Sequence, residues 1–261
     1  MVEIKRLDKI DYFYKLPEIE KSAWGFTDLE VEPHHLMTRV QKYGGLVQGL
    51  FVDGEIIGFS YAIIGKWKGE YFIYSHMVAV RKEHQGKGFG FMLKSAQREE
   101  IMKMGYDVIR WNFDPLESLN SYFNIHRLGV ISDEYERNIY GEGRSGLHKG
   151  LPTDRLIATW YLRSERVATR IDRKEPPLIE DIPSNIIGKF KQSRAYIEIP
   201  RNIRELRERD IKKAREWRTR TREQFEYAFE KGYVATDIVF SPDKKRIFYR
   251  LNRKKDYNGK D

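Results

Sequence analysis

The sequence has no cysteine among its 261 residues, which excludes disulfide bonds and metal sites built from thiolates. It also has no run of about 18 apolar residues, the length that a membrane-spanning helix requires. The first ten residues, MVEIKRLDKI, lack the apolar core of a signal peptide. Together these absences predict a cytoplasmic protein that makes no membrane contact.

Apolar residues make up 40% of the chain, which is enough to bury the core of one large domain or two small ones. The formal charge of +9 raises the question of a nucleic-acid partner. Basic residues are concentrated from Arg201 to Arg222, but acidic residues alternate with them along a predicted helix. A solvated helix face is therefore favoured over an anionic ligand, and nucleic acid is the least favoured partner.

The most informative segment begins as a short apolar strand, Ser75 to Val80, and ends as a helix from Phe91 to Met104. Between them lies a basic loop that contains Gly86, Gly88 and Gly90. Glycines allow a tight turn and a close approach of the backbone, so the free amides at the start of the helix can bind phosphate oxygens. Lys87 adds a positive charge to the loop.

A plain glycine-rich turn is the structural alternative. A Walker loop is excluded because Phe91 and Met92 stand where it needs Lys and then Ser or Thr. A dinucleotide fingerprint is excluded because five residues, 81–85, separate the strand from the glycines, which follow a GxGxG spacing. The segment resembles motif A of the GNAT superfamily of acyl-CoA-dependent N-acyltransferases, Q/R-x-x-G-x-G/A, with Gln85, Gly88 and Gly90 at the defined positions.

The order of predicted elements from residue 1 to residue 163 is also that of the GNAT fold, an α/β fold with a mixed sheet. Predicted strands are Val2–Leu7, Leu46–Val52, Glu55–Ile64, Ser75–Val80, Asp107–Asn112, Val130–Tyr140 and Asp154–Arg163, and predicted helices are Asp11–Trp24, Pro33–Tyr43, Phe91–Met104 and Ser118–Leu128. Asp53-Gly54 predicts a hairpin turn. Three further segments, FDPLESLNSYFNIHRLG, LPTDRLIATWYL and WRTRTREQFEYAFEKGYVATD, resemble a branch of predicted GNAT acyltransferases that carry an added C-terminal module. This resemblance covers almost the whole chain.

The regular succession of predicted strands and helices stops after residue 163. Residues 164–193 have alternating charges, three prolines and no sustained period, which predicts a linker or wrapping segment. Residues 194–253 predict a smaller α+β module with a strand, one or two helices and a hairpin, and residues 254–261 a polar tail. Pairing of that hairpin with a second copy would make the protein a homodimer.

The resemblance implies that an acyl-CoA, with acetyl or succinyl as the acyl group, is the co-substrate and that no metal takes part. It places the pantetheine arm in a slot between two separating parallel strands. The residues that it implies for CoA binding are Met77, Val78, Ala79, Val80, Gln85, Gly86, Lys87, Gly88, Phe89, Gly90 and Asn120.

His76 is the first candidate for the base that takes a proton from the acceptor amine, because a reference pKa near 6.5 suits proton transfer at neutral pH. Counting by twos along the strand places His76 on one face with Tyr74, Val78 and Val80. The alternative is a core histidine that only hydrogen-bonds its neighbours.

GNAT proteins commonly carry a tyrosine four residues before the glycine that closes the following helix, and this tyrosine protonates the departing thiolate. The corresponding residue before Gly129 is Ile125, so the role cannot be carried over. Tyr122 or an ordered water is then the candidate acid, and Asn120 the candidate partner of pantetheine. Ser118 is the predicted cap of this helix.

In the C-terminal module, Ile211, Ala214, Arg218, Thr221, Phe225 and Ala228 follow the spacing of a buried helix face. A buried guanidinium needs a carboxylate partner, and Arg222 lies one turn after Arg218. Arg218 and Arg222 are the candidates for holding the carboxylate of an amino-acid-like acceptor or of a succinyl group. The alternative is an internal salt bridge to an Asp or Glu of the first domain.

These observations predict an acyl-CoA-dependent N-acyltransferase that acts on a primary amine by direct attack on the thioester. Two other classes stay open: a CoA-binding module without catalysis, and a basic protein associated with nucleic acid.

Overall fold

The computed structural model describes residues 1–67, 69–141, 150–172 and 193–256. Packing divides the described chain into two compact units, one of residues 1–111 and the other of residues 112–141, 150–172 and 193–256. The predicted boundary of the acyltransferase domain at residue 163 stays a prediction.

The first unit is built on a mixed sheet in the order β1-β2-β3-β4-β5. Its strands are β1 (Val2–Arg6), β2 (Leu46–Val52), β3 (Glu55–Trp67), β4 (Glu70–Val80) and β5 (Val108–Phe113), whose last two residues belong to the second unit. The first four strands pair antiparallel in sequence order. Asp53 and Gly54 form the predicted turn between β2 and β3, with φ of 49° and 86°. The α/β fold class is confirmed.

Helices cover both faces of this sheet. They are α1 (Ile10–Phe13), α2 (Leu16–Trp24), α3 (His34–Lys42) and α4 (Phe89–Lys103). Leu16 and Ile19 of α2 and Met37 of α3 pack on one face with Phe51 and Phe59. Leu93 of α4 packs on the other face in a cluster that includes Leu50, Ile57 and Val80. The two clusters alternate along the strands, as a sheet buried on both faces requires.

Strands β4 and β5 separate soon after they meet. Their parallel pairing, within the described residues, consists of Ile73 with Ile109 and Tyr74 with Arg110. From Ser75 to Val80, β4 continues along β3 alone on its other edge. The first unit therefore contains the separation of parallel strands that the resemblance to the GNAT fold implies.

The second unit contains a separate three-stranded antiparallel sheet in the order β8-β10-β9, which confirms the predicted smaller α+β module. Its other elements are α5 (Ser118–Ser121), a π-helical turn (Tyr122–Arg127), the paired strands β6 (Tyr135–Glu136) and β7 (Arg155–Tyr161), and α6 (Glu165–Ile171). The module itself contains β8 (Arg194–Ile199), α7 (Ile203–Arg209), α8 (Ile211–Glu230), β9 (Tyr233–Phe240) and β10 (Ile247–Arg253).

Helices α7 and α8 are separate because Asp210 breaks the helix and starts the next one. Its φ of −151° is extended, and its side chain accepts a hydrogen bond from the Lys213 amide at 3.0 Å. The buried face predicted for α8 is confirmed at Ala214, Arg218, Thr221, Phe225 and Ala228. Phe225 packs edge-on against Tyr249 of β10, with ring centroids 5.0 Å apart.

Two predicted segments differ in the structure, and two lie partly outside the described residues. Of the predicted strand 130–140, only Tyr135–Glu136 is a strand, because Ile131 and Ser132 bridge to two different partners, Thr159 and Ala235. The predicted linker begins instead with α6, whose first turn is capped by the Ser164 hydroxyl. Residues 173–192 of that linker, and 257–261 of the predicted tail, lie outside the described residues.

Ser118 is not the helix cap that the sequence predicts. It is the first residue of α5, where its hydroxyl donates to the Arg201 carbonyl, and the preceding Glu117 occupies the capping position without a side-chain bond. The turn is fixed earlier, because the Asp114 carboxylate accepts the Leu116 amide at 2.8 Å. None of the helices in the described ranges is long and apolar enough to cross a membrane.

Gly54 gives a direct test of the turn between β2 and β3. A Cβ at this position meets no atom within 4 Å, so any cost of substitution comes from the positive φ alone. We expect Gly54→Ala to lower the free energy of unfolding by about 1 kcal/mol. Gly54→Asn should cost less, because Asn tolerates this conformation. Equal losses for Ala and Asn in chemical denaturation would contradict this explanation.

Candidate active site

The basic glycine loop has the geometry of an anion-binding turn. Gly86 and Gly88 have φ of 77° and 84°, values that residues with a Cβ rarely adopt. Gly88 is the N-terminal cap of α4, so the helix begins directly at the loop. Added Cβ atoms at Gly86, Gly88 and Gly90 would meet no atom within 4 Å, so the space above the loop is open.

The amides of this loop are available to a ligand. Among the described residues, none of the amide N–H groups from Gly86 to Gly90 donates a backbone hydrogen bond. The start of a helix also carries a partial positive charge, and the exposed Lys87 adds a full one. The Gln85 side chain donates to the Val80 carbonyl at 2.9 Å and so fixes the loop to the end of β4. A diphosphate fits this set of donors.

His76 lies on a β-bulge. In the register of β3 with β4, Tyr61 is opposite Met77 and Ala62 is opposite Ser75, so His76 is the extra residue. The prediction that His76 shares a face with Val78 and Val80 is therefore wrong. Those two valines pack with the cluster on the α4 side, whereas His76 and Met77 lie on the side of α1 to α3.

The bulge positions His76 beside acidic and aromatic groups. Its Nε2 lies 3.6 Å from the Glu32 carboxylate, and its ring packs edge-on against Tyr61 and tilted against Tyr74. The His76 side chain is 34% exposed, so it is not a core histidine. This environment leaves the imidazole open to a substrate, with a carboxylate beside it.

Glu20, on α2, lies behind Glu32. It is fully buried, and its Oε2 accepts the Glu32 amide at 2.9 Å. Its Oε1 has no hydrogen-bond partner among the described residues. Burial raises the pKa of Glu20 to about 7, and the charge of Glu32 acts in the same direction.

Lys94 marks the point where β4 and β5 separate. Its Nζ donates to the Ser75 hydroxyl at 2.7 Å and lies 3.7 Å from the centre of the Trp111 ring. Ser75 and Trp111 are the residues that immediately follow the last parallel pair. Burial lowers the pKa of Lys94 well below its usual value.

The candidates Asn120 and Tyr122 lie in the second unit. Asn120 is exposed at the end of α5 and accepts a hydrogen bond from the Asn124 side chain at 3.3 Å. Tyr122 is half-buried in the π-helical turn and stacks on His126, with ring centroids 4.7 Å apart. His126 in turn contacts the buried Asp237 at 2.7 Å.

Arg218 and Arg222 contact carboxylates of the chain itself. Arg218 Nη2 donates to Asp114 at 2.6 Å, and Arg222 forms two bonds to Asp154, of 2.7 and 2.9 Å. Burial raises the pKa of Asp114, but the charge and hydrogen bond of Arg218 outweigh it and lower that pKa below its usual value. These are the internal salt bridges of the structural alternative. Nε and Nη1 of Arg218 remain buried without a hydrogen-bond acceptor in the described part of the chain.

Comparison with known proteins identifies the first part of the chain. Residues 10–120 match the model of the "Acetyltransferase (GNAT) family". These residues are similar to that family. They include the glycine loop, the bulge at His76 and the separation of β4 from β5. No match was found among curated proteins.

Solved structures that resemble the chain include acetyltransferases. The ribosomal-protein-S18-alanine N-acetyltransferase from Escherichia coli is 20% identical, with a TM-score of 0.49 over 62% of this chain and 94% of that one. A GNAT family acetyltransferase from Elizabethkingia anophelis with acetyl-CoA bound is 16% identical, with a TM-score of 0.45 over 61% of this chain and 97% of that one.

Three residues of the matched segment were not predicted from the sequence: Glu20, Glu32 and Lys94. Lys94 lies seven residues, about two helical turns, before the buried Ile101. A lysine is unusual on a buried helix face, so this spacing was an available signal. Glu20 directly follows the buried Ile19 on α2, and a carboxylate next to a buried position was likewise a signal in the sequence. Glu32 lies in a loop, and its approach to His76 depends on tertiary structure alone.

Lys94 makes stability depend on pH. The unfolded chain keeps an ordinary lysine pKa and binds a proton more readily than the folded chain, so stability should rise with pH between the lowered pKa and about 10.4. Lys94→Met removes this contribution. We therefore expect the difference in melting temperature between Lys94→Met and the wild type to shrink from pH 7 to pH 10. A constant difference would contradict a lowered pKa.

Proposed function

We propose that the protein is an N-acetyltransferase that transfers the acetyl group of acetyl-CoA to a primary amine. The observation that carries this proposal is the open glycine loop at the start of α4, next to the point where β4 leaves β5. Free amides and Lys87 in the loop match the diphosphate of CoA, and the edge of β4 that is unpaired within the described residues matches its pantetheine arm. Succinyl-CoA is the alternative donor.

In this proposal the loop from Gln85 to Gly90 holds the diphosphate, and the edge of β4 from Met77 to Val80 binds the pantetheine arm. Asn120 is a further candidate for contact with pantetheine. The extra residue of the bulge leaves backbone groups outside the ladder, and these are the candidate donors to the thioester carbonyl. Fixed donors of this kind stabilise the negative charge that develops on the carbonyl oxygen during attack.

His76 is the proposed base. It takes a proton from the acceptor ammonium, and the neutral amine then attacks the thioester carbonyl. The carbon–sulfur bond breaks as the amide forms, and the thiolate receives the second proton from the nitrogen through Tyr122 or water. The net reaction converts an ammonium ion and acetyl-CoA into an amide, free CoA and one proton.

Arg218 remains the candidate for binding a carboxylate of the acceptor or of a succinyl group. Its support is the pair of buried donors, Nε and Nη1, that Asp114 does not use. Arg222 is the weaker candidate of the two, because Asp154 occupies both Nε and Nη2.

The activity is tested by incubating the protein with acetyl-CoA or succinyl-CoA and a panel of primary amines, and measuring release of free thiol. We expect thiol release that requires both the acyl-CoA and the amine. Binding of CoA without thiol release over the whole panel would favour the non-catalytic module. Salt-sensitive binding of DNA or RNA without CoA binding would favour the nucleic-acid alternative.

Gly88→Ala tests the loop. The substitution strains a backbone with φ of 84° and adds a methyl group where the ligand is proposed to lie. Loss of one or two charge-assisted hydrogen bonds should raise the Kd for acetyl-CoA about tenfold in calorimetry. Gly105→Ala is the matched control, because Gly105 has φ of 88° and equally open surroundings after the other end of α4. Similar affinities for the two variants would argue against the loop as the diphosphate site.

Arg218→Met should remove the hydrogen-bonded partner of the buried Asp114, leaving it Arg155 Nη1 at 3.9 Å, and cost about 3 kcal/mol of stability. The double variant Asp114→Asn with Arg218→Met removes both charges and should recover most of that loss in denaturant unfolding. If Arg218 binds a carboxylate, the double variant should also have a raised KM for an amino acid acceptor or for succinyl-CoA. Unchanged KM values for both would leave Arg218 with a structural role only.

A further inference from the structure

Two carboxylates that the proposed mechanism does not use lie beside its base. Glu32 belongs to the loop before α3, and its Oε2 is 3.6 Å from His76 Nε2. Glu20 belongs to α2, and its Oε2 holds the Glu32 amide at 2.9 Å. All three residues belong to the first unit and to the GNAT domain.

The distance between Glu32 and His76 is longer than a hydrogen bond between nitrogen and oxygen, for which about 3.0 Å is typical. Both side chains are partly exposed, to 19% for Glu32 and 34% for His76. The pair therefore places a carboxylate oxygen and an imidazole nitrogen close together and not bonded to each other, and both are hydrogen-bond acceptors in the His76 tautomer that carries its proton on Nδ1. An ammonium group has three N–H donors and can satisfy both at once.

Glu20 supplies the second observation. A fully buried carboxyl group with one oxygen lacking any hydrogen-bond partner is costly, and such groups are concentrated at functional sites. It is not accessible to a ligand, so it acts through its neighbours. Its bond to the Glu32 amide fixes the backbone of the loop that carries the Glu32 carboxylate.

We infer that Glu32 and His76 together bind the ammonium group of the acceptor, with Glu32 as its charged partner and Glu20 as the residue that positions Glu32. This inference rests on the proposed N-acetyltransferase function. Glu32 attracts the protonated form of the amine, which is the abundant form at neutral pH. After His76 accepts the proton, the carboxylate of Glu32 stabilises the imidazolium while the amine, now neutral, attacks.

Glu20 also links this site to pH. The titratable groups that face it are Glu32 in the loop, His76 on β4 and Tyr61 on β3, and burial with the charges of Glu32 and Glu20 raises the pKa of Tyr61 to about 12. Glu20 itself ionises near pH 7, which adds a negative charge behind Glu32 as pH rises. The apparent affinity for an ammonium should therefore increase through neutral pH, and this increase should be smaller in Glu20→Gln.

The test compares Glu32→Gln, Glu20→Gln and the control Glu18→Gln, which removes an exposed carboxylate from the same helix as Glu20. We expect Glu32→Gln to raise the acceptor KM about tenfold, the loss of one charge-assisted bond, and to leave the KM for acetyl-CoA unchanged. Glu32→Asp should restore part of the loss, and Glu18→Gln should match the wild type. An acceptor KM that Glu32→Gln leaves unchanged, in a protein with normal melting behaviour, would overturn the inference.

A second measurement separates this inference from the proposed function. The imidazole signals of His76 are followed by NMR in the full chain during titration with n-propylammonium, without acetyl-CoA. Changes in the His76 chemical shifts that saturate in the wild type and are absent in Glu32→Gln would support the ammonium site, even if no thiol release were found. Acetyl transfer without such changes in chemical shift would support the proposed acetyltransferase function but would overturn the proposed ammonium site.

Discussion

Two residue pairs, Ile73 with Ile109 and Tyr74 with Arg110, hold β4 and β5 together in parallel, and the strands separate directly after them. The candidate active site depends on this separation. It frees one edge of β4 over the six residues that lead to the glycine loop. The loop then ends at the start of α4, so an unpaired strand edge and a set of unbonded helix amides follow each other along one continuous segment.

The bulge at His76 changes which face of the sheet the side chains of β4 point to. Before it, Ser75 faces α4, where its hydroxyl accepts from Lys94 and donates to Gln97. At the bulge, His76 turns toward Glu32, on the side where α2 and α3 pack. A strand without the extra residue would alternate regularly, and His76 and Met77 could not both lie on that side. One inserted residue thus decides which helices form the surroundings of the proposed base.

Much of the fold was accessible from the sequence because it depends on local patterns. Asp53-Gly54, the glycine loop and the buried stripe of α8 are each encoded by neighbouring residues, and each is confirmed. The bulge could not be predicted, since it depends on the register between two strands. The same holds for Glu32, which reaches His76 across more than forty residues of sequence. Ser118 failed as a cap because Asp114, four residues earlier, already fixes the turn.

Lys94 has a consequence for the protein's own chemistry. A lysine with a lowered pKa is a better nucleophile than an ordinary one, and this one lies at the junction where the thioester of a bound donor would be expected. Its amine is enclosed by Ser75, Gln97 and the Trp111 ring and is only 4% exposed. In the proposed acetyltransferase, the packing of the sheet against α4 would keep this amine away from the thioester of a bound donor.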